Sequence, residues 1–175
     1  MRKSPTSQTE KALTAYVQGN QADTALDTVN VYAGGLAGPQ NTVPVNATTL
    51  PPAPSAPVVT PPSLIFTASN PEQLGYDSGL YEMKLTARLA TEIYDESVTD
   101  TEDVHRERIE ALRDMLENVS LIKSYVNAPA SGPDTRVIQS FTLSAIVYED
   151  DATKQDGNTI ETELSYYVCA SPADS

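Results

Sequence analysis

His105 is the chain's only histidine. It stands in His105-Arg106-Glu107, within the charged stretch "TDTEDVHRERIEALRDML" (99–116). A His-x-Glu step is the first part of the zinc-deaminase signature, but that chemistry also needs a later Pro-Cys-x-x-Cys. The chain has one cysteine, Cys169. A zinc-protease helix needs two histidines on one face, and a catalytic triad needs a histidine base beside its nucleophile. Cys169 lies in a strand-like run with no activating group evident, so it reads as a small strand residue. Glu149-Asp150-Asp151 offers carboxylates to a divalent cation but lacks the regular spacing of a calcium loop. With Asp156 it reads as a solvated hairpin tip. Gly34-Gly35 is not followed by the Lys-Ser or Lys-Thr of a phosphate loop. The residues therefore predict no catalytic group, no metal site, no cofactor and no enzyme.

His105 then needs a structural account. Thr99-Asp100-Thr101-Glu102 reads as a capping box. Behind it His105, Ile109, Leu112 and Leu116 recur at i, i+4, i+7 and i+11, one stripe of a helix over 100–117. The histidine belongs on the buried seam. Glu102 and Arg106, four apart, predict a surface ion pair worth ~0.2–0.5 kcal/mol.

That helix needs a sheet to cover. "GLYEMKLTARLATEIYDES" (79–97) alternates with a period of two: Tyr81, Met83, Leu85, Ala87, Leu89 and Ile93 on one face, Glu82, Lys84, Thr86, Arg88 and Glu92 on the other. This is the pattern of a half-buried antiparallel strand. "PSLIFTAS" (62–69) is a shorter strand. "RVIQSFTLSAIVYED" (136–150), with Val137, Phe141, Leu143, Ala145 and Val147 on one face, and "NTIETELSYYVCAS" (158–171), with Ile160, Leu164, Tyr166 and Val168, form a long hairpin. "DDATKQDGN" is its loop, with Asp156-Gly157 as the turn signal. Polar Glu161 and Glu163 fall on its outer face, and such a hairpin invites cover by another chain. At the N-terminus, Ser7-Gln8-Thr9-Glu10 reads as a capping box for a helix that ends at Gly19-Asn20. "DTVNVYAGG" (27–35) follows as a short extended piece. The fold class expected is α+β: an antiparallel sheet of four or five strands with helices packed on one face.

Residues 36–62, "LAGPQNTVPVNATTLPPAPSAPVVTPP", are proline-rich and almost uncharged. Proline fixes φ and removes donors, which predicts an extended arm with no ladder of its own. It is either a surface insertion or an arm lying on a neighbouring subunit through residues such as Pro51, Pro52 and Pro54.

The 175 residues suit one domain with a real core. A net charge of −13 opposes any sequence-independent grip on nucleic acid and fits a soluble, self-repelling surface or a basic protein partner. One cysteine excludes an internal disulfide. "MRKSPTSQTEKAL" lacks the apolar run of a secretory signal, and no stretch approaches the ~18 apolar residues of a membrane span. The expectation is a protein made in a reducing cytoplasm, without membrane contact.

In this order the elements resemble the small tail terminator (tail completion) proteins of long-tailed bacteriophages. The likeness rests on the short N-terminal helix leading into "VNVYAGG", and on a long alternating strand running into "TEDVHRERIEALRDML". A small-residue linker, "VIQSFTLSAIVYEDD" and a last strand ending in "YYVCAS" complete it. It covers residues 5–35 and 63–171, with 36–62 as an insertion in a single domain spanning 1–175. The resemblance implies a structural virion protein of the tail and neck, assembled in the host cytoplasm. Such a protein forms a ring, usually of six, that caps the tail tube, stops its polymerisation and joins it to the head. The partners implied are other copies, the tail tube protein and a head-completion protein, with DNA passing through the lumen unbound. Another neck component, such as a stopper or adaptor, is the nearest alternative, and a small ligand-binding α+β domain is a third. Protruding elements would carry the contacts: Glu149, Asp150, Asp151 and Asp156 of the hairpin, Glu161 and Glu163 beside them, and Pro51, Pro52 and Pro54 of the arm.

Overall fold

A computed structural model describes residues 4–34, 59–76, 78–93, 98–127, 142–156 and 158–171. For Glu149, Asp150, Asp151 and Asp156 it describes the backbone only. Pro51, Pro52 and Pro54 lie outside the described residues, as do Val137 and Phe141. The elements run α1 (Pro5–Asn20), β1 (Asn30–Ala33), β2 (Ser63–Gln73), β3 (Tyr81–Glu92), α2 (Val98–Glu117), α3 (Val119–Asn127), β4 (Thr142–Asp156) and β5 (Thr159–Ser171). The strands form one sheet in the order β1-β2-β3-β5-β4. The helices pack against it, giving the expected α+β fold.

The core lies between the helices and one sheet face. Met83, Leu85, Ala87 and Leu89 of β3 are buried there, as are Leu164, Tyr166 and Val168 of β5. Leu13, Tyr16 and Val17 of α1 and Leu112 and Leu116 of α2 close over them. Tyr16 buries its hydroxyl without leaving it idle, donating to the Met115 carbonyl at 3.0 Å. The opposite sheet face is polar, with Lys84, Thr86 and Ser165 half-buried and Arg88 exposed.

Several local readings need correction. α1 begins at Pro5 and is capped by Ser4, whose side chain accepts from Ser7 N–H at 3.4 Å. Proline is preorganised for that first helical position. Glu10 therefore does not close a box with Ser7. Its Oε1 accepts from Ala68 N–H at 2.8 Å instead. β1 runs parallel to β2 and pairs only as far as Ala33 with Phe66, after which Gly34 N–H donates to the Phe66 carbonyl. Glu10 thus satisfies the next outward N–H of β2, where the short β1 has run out.

Arg106 lies 3.5 Å from Asp103 rather than pairing with Glu102. The helical backbone of α2 already includes Val98 and Thr99, so Thr99 stands inside the first turn rather than before it. α3 falls where the sequence suggested only a linker. Asn118 caps it, accepting from Leu121 N–H at 3.1 Å, and Ile122 is buried.

The acidic run 149–151 lies short of the hairpin tip, which only Asp156 of the four acids reaches. β4 continues through that run, with Asp150 in register with Ser165, Asp151 with Leu164, and Asp156 with Thr159. Cross-strand pairs carry the ladder that far: Thr153 hydroxyl meets Thr162 hydroxyl at 2.9 Å, and Lys154 lies 3.5 Å from Glu161. Irregularities between Leu143 and Ala145 and between Tyr148 and Asp150 break the period of two in β4. Ile146, opposite Val168, consequently enters the core, while Val147 pairs with exposed Tyr167.

Candidate functional site

α2 and the far half of the β4–β5 hairpin enclose the best-defined cleft, about 440 Å³. α2 contributes Glu102, His105, Arg106, Ile109 and Arg113, and the hairpin contributes Thr153, Lys154, Gln155, Ile160 and Thr162. The helical residues recur at three- and four-residue steps, so one edge of α2 forms the wall. Thr153–Gln155 and 160–162 face each other across the hairpin because of the register just described.

His105 sits at the closed end, 4% exposed. Its Nδ1 lies 2.7 Å from Thr91 Oγ1 of β3 and its Nε2 2.8 Å from Thr162 Oγ1 of β5. Arg108 Nη1 donates to the same Thr91 oxygen at 3.1 Å, and Nη2 to Thr28 Oγ1 at 3.4 Å. A guanidinium only donates. The assignment that leaves no donor idle therefore runs one way. Arg108 donates to Thr91, Thr91 donates to Nδ1, Nε2–H donates to Thr162, and Thr162 donates to Thr153. This fixes the Nε2–H tautomer by inference from the network. Burial, and then the Arg108 charge, lower the His105 pKa from 6.5 to about 4. At neutral pH the ring is uncharged, with both nitrogens occupied. It braces α2 to β3 and β5, which is the structural role its place on the helical stripe predicts.

The rim has a different character. Glu102, Arg106, Arg113 and Lys154 line it, with Arg106 3.5 Å from Asp103 and Lys154 3.5 Å from Glu161. Ile109 and Ile160, both largely buried, line it as well. Sequence reasoning missed this cleft because its residues come from α2, β4 and β5, and only the register joins them.

The residues proposed as contacts are distributed otherwise. Glu161 is engaged by Lys154, and Glu163 by Arg88 Nη2 at 3.3 Å on the outer sheet face. Asp150 and Asp151 lie along β4 rather than at its end. Cys169 Sγ donates toward Glu82 Oε2 at 3.9 Å. Burial raises its pKa, as do the Glu82 charge and hydrogen bond, which keeps it a thiol rather than a nucleophilic thiolate. Among the described residues, no group of three His, Cys, Asp or Glu side chains could hold a metal ion. No described helix is long and apolar enough to cross a membrane. No protein-family model matches the chain, and no curated protein matches it.

Proposed function

We propose that the chain is a structural assembly protein of the tail-terminator kind: a ring subunit, six to a ring, that caps a bacteriophage tail tube and meets the neck. The observation that carries this reading is the strand order. It leaves the 15-residue β4 at a sheet edge, while the outer sheet face is polar and the helices occupy the other side. A long edge strand is a template for another chain. A sheet with one helix-covered face has the other available for contact. The best-defined cleft fits this reading, since its histidine is neutral and hydrogen-bonded on both sides. A mostly helical neck adaptor suits this sheet-rich chain poorly, and a stopper remains the nearest rival.

The test is tube length. Purified chain added to polymerising tail tube protein from the same genome should arrest growth and leave a ring density at one tube end by negative-stain microscopy. Tubes of unaltered length with bare ends would overturn the proposal. Binding to the head-side neck component without any effect on tubes would favour the stopper.

A further inference from the structure

We infer that the outer face of the sheet, at Tyr32, Ile65, Thr67 and Thr86, is the docking surface for residues 35–58 of the same chain, the proline-rich crossover from β1 to β2. The inference stands apart from the ring reading. It starts from the strand order β1-β2-β3-β5-β4, in which two connections join parallel strands. β3 and β4 are parallel because each pairs antiparallel with β5, and α2 and α3 link them over the helix face. β1 and β2 are parallel, and the proline-rich stretch joins them. Both connections advance in the same direction across the sheet. Their strands point opposite ways, because β2 and β3 are antiparallel. Crossovers between parallel strands are right-handed in about 98% of cases. Two crossovers of one hand that advance the same way between oppositely directed strands must lie on opposite faces. The helices hold one face, so the stretch belongs on the other.

The residues give the same answer. Phe66 turns its side chain into the core and its carbonyl toward β1, where Gly34 N–H donates to it. With L-residues, this puts β1 to the right of β2 when the two strands point up and are seen from the helix side. Only a path over the outer face is then right-handed. The helix side is also filled above these strands. Glu10 accepts from Ala68 N–H, and Thr9 Oγ1 donates to Met83 Sδ at 3.2 Å.

The outer face offers a matching surface. Tyr32 is in register with Ile65, and Thr67 with Thr86. All four are uncharged and half-buried. Ile65, Thr67 and Thr86 line a shallow cleft of about 240 Å³, bounded by the Arg88–Glu163 ion pair. Residues 35–58 carry no charged side chain, in a chain of net charge −13. Pro51, Pro54 and Pro57 stand three apart, on one edge of a polyproline helix, and such edges pack on aromatic rings. Pro51 to Pro57 spans roughly 19 Å in that form and Ser63 to Ala68 roughly 17 Å as a strand. Thr60, three residues beyond Pro57, is held at the start of β2 by Asn30 Nδ2. The prolines can therefore run back along β2 over Ile65 and Thr67. A segment that is already extended loses little entropy on seating. This cover leaves β5, with exposed Tyr167, and the β4 edge to outside partners.

The test places a nitroxide at Thr49→Cys in the full chain carrying Cys169→Ser, and reads methyl signals by NMR. The methyls of Ile65, Thr67 and Thr86 should lose most of their intensity, while those of Ala15 in α1 and Val104 in α2 keep theirs. The reverse pattern puts the crossover on the helix side and overturns the inference. Weak, uniform losses overturn it too, because they show no seat. Losses that appear only when spin-labelled chain is mixed with isotope-labelled chain assign the face to a neighbouring copy's stretch, which also overturns it. Ile65→Asp sets an acid opposite Arg88, its register partner, so the variant should still melt cooperatively by circular dichroism. In it the losses at Thr67 and Thr86 should vanish, and their persistence would show that this patch is not the seat. Should Ile65→Asp fail to fold, the pattern in the spin-labelled parent decides alone.

Discussion

At the scale of the residue, His105 shows how a titratable group becomes a strut. Its pKa near 4 compares with an ordinary value of 6.5. Between those values the unfolded chain takes up a proton and the folded chain does not. The stabilisation is therefore complete above about pH 6.5 and is lost as the pH falls towards 4, amounting to roughly 3 kcal/mol over the full shift. Urea unfolding of the wild type and His105→Gln across that window tests this. The wild-type advantage should shrink with acid, and parallel curves would refute it. Thr162→Val should strand the buried Nε2–H and cost about 1–3 kcal/mol by the same assay at pH 7. His105→Ala should likewise lower stability. The position of His105 on a buried seam was legible from the i, i+4, i+7, i+11 stripe. Its partners were not. Thr91 and Thr162 occupy core-face positions of strands where threonine is an ordinary β-former, and only the packing of α2 shows why those positions are polar.

At the scale of the element, legibility followed the regularity of the period. β3 and β5 alternate cleanly, and both were placed with their buried faces correct. β4 runs on to Asp156, past the expected end at 150, and buries Ile146 rather than following the expected alternation, because two irregularities each shift the phase that a period-two reading assumes. The direction of β1 was invisible, since a strand of four residues carries no signal of its partner's sense. α3 is short, and its cap at Asn118 was overlooked. Its seating is nevertheless specific. Tyr125 meets Tyr16 edge-on, with centroids 5.9 Å apart and planes at 68°. A Cβ on Gly19 would stand 2.6 Å from the Tyr125 hydroxyl oxygen. Gly19→Ala should gain up to about 1 kcal/mol of helix propensity, yet displace a ring contact worth ~0.5–1.5 kcal/mol and add strain. The substitution is therefore expected to be neutral or destabilising in the wild type and stabilising in Tyr125→Ala. Thermal unfolding of the four chains of that cycle checks the reversal, and the same sign in both backgrounds would show that α3 does not press on α1.

At the scale of the whole molecule, the two hairpins project from opposite ends of one sheet, and the proline-rich stretch links its one parallel pair. That topology gives the stretch a minimum task. A parallel pair needs a crossover of a dozen or more residues, and the sequence between Ala33 and Ser63 is far longer. Its last residues are tied to the fold: Asn30 Nδ2 donates to the Thr60 carbonyl at 3.1 Å, and Asn30 N–H donates to the Pro62 carbonyl at 2.9 Å. A deletion must therefore spare Thr60 and Pro62, and removing 40–56 keeps both with about a dozen residues to make the crossover. Closing a loop of half the length changes the entropy by only about 0.6 kcal/mol, so the shortened chain should melt within a few degrees of the wild type. If the stretch serves as an arm on a neighbouring subunit, the excess length serves assembly rather than folding. The shortened chain should then remain a folded monomer but cap tubes poorly, giving longer tubes at equal concentration by negative-stain microscopy. Loss of the cooperative melt would place the stretch in the core. A normal melt with normal capping would make it an insertion without a part in assembly.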